Sequence, residues 1–409
     1  MTKEECLNKI ESLVVYDTVK NNGAVTLFKR VITDDSVRAR ADFFSALIAI
    51  AEENGYSGAI FTKHLMTLML KNKNAFTLAC ENGRSVEGST LYEEAKKEIE
   101  AIKEIAAFAQ EEFKNEIIVD YIPINKETDV RYALVENFTI DDITSFHRKY
   151  GCGDVALYRS FRFDSENKRL WGVAHPDGVT FDDLIGYRSQ IDQLIYNTEA
   201  FLEGYPANNV LLVGARGTGK SSCVKALVNK YFEQGLRLLE ITKEQIALLP
   251  DILAVIRPRG RKFIIFTDDL SFDESEIEYK YMKSLLEGGS EGKPDNVLFY
   301  ATSNRRHLIQ ENWKDRGNGG ITDSKEVHTA DNMNEKLSLS DRFGITITFS
   351  KPTPDEYIEI VKGVAKRKGL DVDEQLLKTE AMKWEIRQKG MSGRTAGQFV
   401  NYMLRKVQK

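Results

Sequence analysis

Gly214-Ala215-Arg216-Gly217-Thr218-Gly219-Lys220-Ser221 fits G-x-x-x-x-G-K-[ST], a spacing suited to wrapping phosphate oxygens. Glycines at 214, 217 and 219 admit backbone conformations that a Cβ blocks, so successive N–H groups can turn inward on an anion. Lys220 can bring a point charge to the β/γ-phosphates, and the Ser221 hydroxyl can ligate Mg²⁺. Further along, Phe263-Ile264-Ile265-Phe266-Thr267 runs into two carboxylates, Asp268 and Asp269. Asp268 can hold the metal through its water shell, and Asp269 can sit beside a γ-phosphate, where attacking water must be oriented. A second apolar run, Val297-Leu298-Phe299-Tyr300-Ala301-Thr302-Ser303, ends in Asn304, whose amide can hydrogen-bond both that water and the γ-phosphate. Arg305 and Arg306 follow, and can form a basic rim or reach a neighbouring subunit. Arg342, set beside Phe343, can reach into a neighbouring copy and stabilise charge on a transferring phosphoryl group. Arg394 opens the last helical stretch, where a guanidinium can read the γ-phosphate and couple helix position to nucleotide state.

Elements of defined kind must position these groups. Asn209-Val210-Leu211-Leu212-Val213 reads as a buried strand before the glycine loop, and helical spacing follows from Ser222 to Gln234. The loop therefore opens a helix whose positive end faces the anion. Strand and helix alternate from about residue 180, with strands expected at 210–213, 236–241, 263–267, 297–302 and 345–349. Such alternation implies a parallel sheet covered on both faces. After Pro352 and Pro354 only helical patterns remain, near 355–368, 373–388 and 395–407. The polar stretch 312–335 reads as a mobile surface insertion. Upstream, 95–113 shows clear helical spacing, with Thr90 and Glu93 resembling a capping box. Residues 156–163 and 169–173 alternate around a turn, which signals a hairpin. The expected organisation is a helical N-terminal domain at 1–150, a hairpin and linker at 151–180, an α/β core at 181–350 and a helical lid at 351–409.

Composition excludes several classes. At 409 residues, 42% hydrophobic and 29% charged, the chain is ordinary globular material for two or three domains. Cys6, Cys80, Cys152 and Cys223 are widely spaced and form no C-x-x-C pair, which suits a reducing compartment. His147 and Cys152 are near neighbours, but no second pair accompanies them and no metal framework results. The N-terminus lacks a signal-peptide pattern and no run approaches a membrane span, so a cytoplasmic protein is expected. The net charge of −5 argues against an all-over nucleic-acid surface. Charge is uneven: residues 351–409 carry 13 Lys/Arg against 8 Asp/Glu, leaving the remainder at −10, and a nucleic-acid role for that tail is a minor reading. The basic cluster at 257–262 reads as a solvated loop, with a nucleic-acid or acidic-partner contact as the minor reading.

Together these elements resemble the AAA+ ATPases. Phrases such as Pro206-Ala207-Asn208-Asn209-Val210, Asp268-Asp269-Leu270-Ser271-Phe272, Tyr300-Ala301-Thr302-Ser303-Asn304 and Ser392-Gly393-Arg394-Thr395-Ala396 are similar to those of one bacterial group, domain of unknown function 815. The resemblance covers roughly 155–409. It implies a Walker A loop from Gly214 through Ser222, a Walker B pair at Asp268 and Asp269, sensor 1 at Asn304, an arginine finger at Arg342 and sensor 2 at Arg394. It further implies a five-stranded parallel P-loop core with a helical lid, ATP or ADP with Mg²⁺ between them, and nucleotide-dependent ring or helical homo-oligomers. Asp183-Leu184-Ile185-Gly186 lies where such proteins pack against adenine, making Ile185 and Gly186 base contacts. One departure is Asp269, where the wider group has Glu. Asp is one methylene shorter, and a shift of about 1 Å can slow such a step by about 10²-fold. Another is the interval 242–262, which lacks Phe, Tyr and Trp and so lacks an aromatic threading loop. The expected function is ATP hydrolysis in an oligomer that acts on a protein partner recognised through residues 1–150. The alternative is a slow nucleotide-gated switch.

Overall fold

The computed structural model describes residues 1–124, 139–272, 277–286, 293–304, 342–388 and 390–407. Arg305, Arg306 and the 312–335 stretch lie outside the described residues. Two compact units emerge, Met1–Leu157 with Arg259–Arg261, and Tyr158–Pro258 with Lys262–Lys409.

Local side-chain chemistry starts the helices of the first unit. Thr2 with Glu5, Asn74 with Thr77, and Thr139 with Asp142 form reciprocal caps that open Lys3–Glu11, Ala75–Glu81 and Ile140–Tyr150. The long helix runs Thr90–Glu112 and is capped by Ser89, one residue before the expected Thr90. Ser89 accepts the Tyr92 N–H and so satisfies a donor that the helix cannot. Phe28, Phe43 and Phe61 meet at centroid distances of 4.6–5.7 Å to form an aromatic centre. The buried Glu98 carboxylate is held by the backbone N–H groups of Val14, Val15 and Tyr16 at 2.7–3.0 Å.

The Glu81 side chain is also fully buried, and the tripeptide Arg259–Arg261 answers it. It accepts from Arg259 Nε at 2.9 Å, Arg259 guanidinium at 2.6 Å, Gly260 N at 2.9 Å and Cys152 N at 2.9 Å. Four donors offset the desolvation of the carboxylate, and the guanidinium holds its pKa below the ordinary range against the effect of burial. The expectation of a solvated loop is corrected at Arg259, which is only 6% exposed, while Arg257 stays exposed.

The second unit is built on a sheet of β1 Ser160–Asp164, β2 Arg169–Gly172, β3 Val210–Gly214, β4 Leu236–Glu240, β5 Lys262–Thr267, β6 Val297–Ser303 and β7 Ile345–Phe349. Their spatial order is β2-β1-β4-β5-β6-β3-β7. The five expected strands are all present and parallel. The sheet is nonetheless wider than five, because β1 pairs parallel to β4 and carries β2 antiparallel on its outer edge. The β1 strand starts at 160 rather than 156, since 154–157 forms a helical turn. Helices Arg188–Leu202 and Lys220–Tyr231 pack on the sheet through Leu194, Val224 and Leu227, which meet Leu212, Leu238 and Ile264. Helices Pro354–Arg367, Glu374–Gln388 and Gly393–Val407 form the lid around Tyr357, Val361, Ala381, Phe399 and Val400. This is an α/β P-loop core with a C-terminal helical lid. Among the described residues, no helix is long and apolar enough to cross a membrane.

Candidate nucleotide-binding site

The carboxyl ends of β3, β5 and β6 bring the chemistry together. After β3 the chain turns at Gly214, with φ 138, where an added Cβ would stand 2.0 Å from the Phe349 carbonyl oxygen. Only glycine lets the loop leave the sheet this close to β7. At Gly217 the lid approaches. Its carbonyl accepts the Arg394 N–H at 3.3 Å, and a Cβ there would press on Ser392 Oγ at 3.0 Å. Helix Lys220–Tyr231 then begins, with its amino end at a cavity of about 800 Å³. That volume suits a nucleotide-sized molecule.

Lys220 donates to the carbonyls of Gly214 at 2.9 Å and Ala215 at 2.8 Å, and to Asn304 Oδ1 at 3.1 Å. Burial lowers its pKa, and the charges of Asp268 and Asp269 oppose that shift. Ser221 Oγ donates to Asp268 Oδ1 at 2.6 Å, which leaves the serine lone pairs available to a cation. Asn304 Nδ2 donates to Asp269 Oδ1 at 2.5 Å, while the Arg216 guanidinium lies 3.6 Å from Asp269 Oδ2. Asp269 sits at φ 52, a left-handed conformation in which side-chain-bearing residues are uncommon.

Ile185, Arg216, Gly217, Thr218, Gly219, Lys220, Ser221, Ser222, Asp268, Asp269, Asn304 and Arg394 all line this cavity. Gly214 and Ala215 lie behind it, holding Lys220 through their carbonyls. Gly186, expected as a base contact, is not among the lining residues, and Ile185 alone of that pair faces the cavity. Arg342 is exposed and does not line the cavity of its own chain.

Several contributors had no clear sequence signal. Ile191, Ile360 and Val364 join Leu184 of the expected adenine-side segment in an apolar wall suited to a flat base, Ile360 and Val364 coming from the lid helix Pro354–Arg367. Spaced four apart, they look like any pair on a buried helix face. Tyr187 also lines the cavity, at φ 56, with its hydroxyl donating to the Ser350 carbonyl at 2.7 Å. Thr302 lies beneath the acid pair and contacts both members.

The donor set fits Mg²⁺ rather than a soft metal. Among the described residues, no cluster of three or more His, Cys, Asp or Glu could hold a metal alone. A serine hydroxyl and a carboxylate, with phosphate and water completing the shell, is the arrangement Mg²⁺ prefers.

Residues 156–407 match a family model described as Protein of unknown function (DUF815). No curated protein matches the chain. Among solved structures, a point mutant of Thermotoga maritima RuvB is similar at 16% identity and a TM-score of 0.38, over 55% of this chain and 64% of that one. This chain therefore spans less than two thirds of that structure's length. Thermotoga maritima RuvB described as a Holliday junction branch migration motor is similar at 14% identity and a TM-score of 0.33, over 56% of this chain and 71% of that one.

Proposed function

This chain belongs to the DUF815 family, and from that premise we propose that it is an AAA+ ATPase that binds Mg·ATP and hydrolyses it to ADP and phosphate. The observation that carries the reading is the meeting of Lys220, Ser221, Asp268, Asp269 and Asn304 around one cavity, from three adjacent parallel strands and the helix after β3. Separately each residue type is common on a surface. Jointly they match what phosphoryl transfer to water needs.

In this mechanism the glycine loop and the amino end of helix Lys220–Tyr231 receive the phosphate chain. Lys220 exchanges its carbonyl partners for phosphate oxygens. Ser221 and Asp268 would hold Mg²⁺, which when bound would neutralise phosphate charge. Asp269 orients water and accepts its proton as the oxygen–phosphorus bond forms and the bond to the leaving ADP oxygen breaks. Asn304 already donates to Asp269, so it can fix that carboxylate and the water together. Arg394, whose N–H meets the glycine loop, places a guanidinium from the lid at the phosphates. Arg342 acts on the nucleotide of a neighbouring copy, so a homo-oligomer is required, and residues 1–150 engage a protein partner that the cycle remodels or regulates.

A slower, switch-like cycle is the second reading. Asp269 has a short side chain, and its two oxygens engage Asn304 and Arg216. Phosphate release measured across protein concentration, with titration of Mg·ATP, tests both. Turnover that rises with assembly and vanishes in Lys220→Ala supports the ATPase. Tight Mg·ATP binding without turnover supports the switch, and no Mg·ATP or Mg·ADP affinity in folded protein would falsify both.

A further inference from the structure

We propose that Thr302 is the positioning residue of the acid pair, setting Asp268 and Asp269 through one buried hydroxyl. The inference rests on the ATPase reading and deepens it. Thr302 is 1% exposed and lies in β6, just beyond the point where Thr267 of β5 pairs with Ala301. Its Oγ1 accepts the Asp269 N–H at 2.9 Å and donates to Asp268 Oδ1 at 2.5 Å. Its carbonyl accepts the Leu270 N–H at 2.7 Å. Three consecutive residues are thus tied to one residue of the neighbouring strand.

Only a hydroxyl can do this, because it offers a donor and acceptor lone pairs from a single atom. Valine fills the same space and offers neither. The arrangement also accounts for the backbone at Asp269. A left-handed residue persists where its surroundings hold it, and here its own N–H is anchored. Asp268 Oδ1 collects Ser221 Oγ, Thr302 Oγ1 and, at 3.2 Å, the Asp269 N–H. Thr302 therefore couples the metal-side carboxylate to the orientation of the water-side one. Removing the hydroxyl takes away the 2.9 Å acceptor of the Asp269 N–H, leaves it only the longer 3.2 Å approach to Asp268 Oδ1 and frees the turn to relax, which displaces the Asp269 carboxylate. The glycine loop and the apolar wall are untouched, so nucleotide affinity is retained. Thr302 stands in the cavity wall at 1% exposure with its hydroxyl committed to Asp268 and Asp269, and it acts through those two aspartates.

The test compares two pairs that differ by the hydroxyl alone. One is wild type with Thr302→Val, and the other is Thr302→Ser with Thr302→Ala. The second pair keeps the comparison open if the valine variant folds poorly. Steady-state phosphate release and nucleotide titration are measured on the full chain. Thr302→Val and Thr302→Ala are expected to lower kcat about 10- to 100-fold with KM for ATP within about threefold, while Thr302→Ser stays within about threefold of wild type. Wild-type kcat in Thr302→Val, equal loss in the serine and alanine variants, or a matching loss of nucleotide affinity would each overturn the proposal. If the wild type itself shows no turnover at any concentration, the ATPase reading fails and this inference with it. Turnover unaffected by Thr302→Val sinks the inference alone.

Discussion

Mixing two inactive variants tests whether Arg342 works across a subunit boundary. Val210 lies opposite Ile345 and Gly214 opposite Phe349, so β3 and β7 run in register from end to end. The glycine loop leaves the carboxyl end of β3, whereas Arg342 precedes the amino end of β7. Four residue steps at about 3.3 Å separate those ends by about 13 Å, and three further residues lead back to Arg342. A side chain placed there starts far from the glycine loop of its own chain, which is the ground for the proposal that it serves the phosphates of another copy. Arg342→Ala alone should therefore lower turnover by about 10³-fold, with nucleotide affinity intact. Lys220→Ala should be equally inactive. In an equal mixture half the sites keep Lys220, and half of the neighbours facing those sites keep Arg342. Phosphate release should then recover to about one quarter of the wild-type rate. A mixture no faster than its separate components, or full activity of assembled Arg342→Ala, refutes the reasoning.

Further outcomes follow from buried groups and close contacts. Burial lowers the pKa of His64 and His147 to about 4 from the ordinary 6.5, so the unfolded chain takes up their protons first as pH falls. The stability from keeping them neutral is complete above pH 6.5 and declines towards pH 4. It is smaller by about 2 kcal/mol per group at pH 5 than at pH 7.5. Melting scans should fall accordingly, and a flat melting temperature between those values contradicts the assignment. Glu81→Ala removes the carboxylate facing buried Arg259 and should destabilise by about 3–5 kcal/mol. An unchanged denaturant midpoint for the first unit would rule that out. Gly214→Ala forces a Cβ to 2.0 Å from the Phe349 carbonyl oxygen and should abolish Mg·ATP binding in titration calorimetry. Retained affinity would show that the loop does not need this approach.

The glycine loop and the acid pair were legible because phosphate chemistry demands particular residues at short, fixed spacing. The five parallel strands were legible for a related reason: burial on both faces leaves a nearly continuous apolar run, as in Val297 to Ala301. What escaped the sequence depends on partners far along the chain. Arg259 and Glu81 are 178 positions apart, and nothing local distinguishes that arginine from its exposed neighbours. The pairing of β1 with β4 is similarly remote, so a hairpin could be read while its place in the sheet could not. Thr302 looked like strand filler, because threonine suits strands and its hydroxyl gains meaning only beside Asp268 and Asp269.

The Arg259–Arg261 tripeptide has a consequence for dissecting the molecule. The stretch matching the family model, 156–407, contains these three residues, yet they complete the interior of the unit that precedes it. The seam drawn by sequence kinship and the seam drawn by packing are different lines. A fragment ending at Leu157 keeps the buried Glu81 carboxylate but loses the Arg259 guanidinium that answers it, and a fragment starting at Tyr158 carries that guanidinium without Glu81. A cut at that border separates Glu81 from Arg259, so borders for expression or domain grafting have to be drawn from the packing as well as from the alignment.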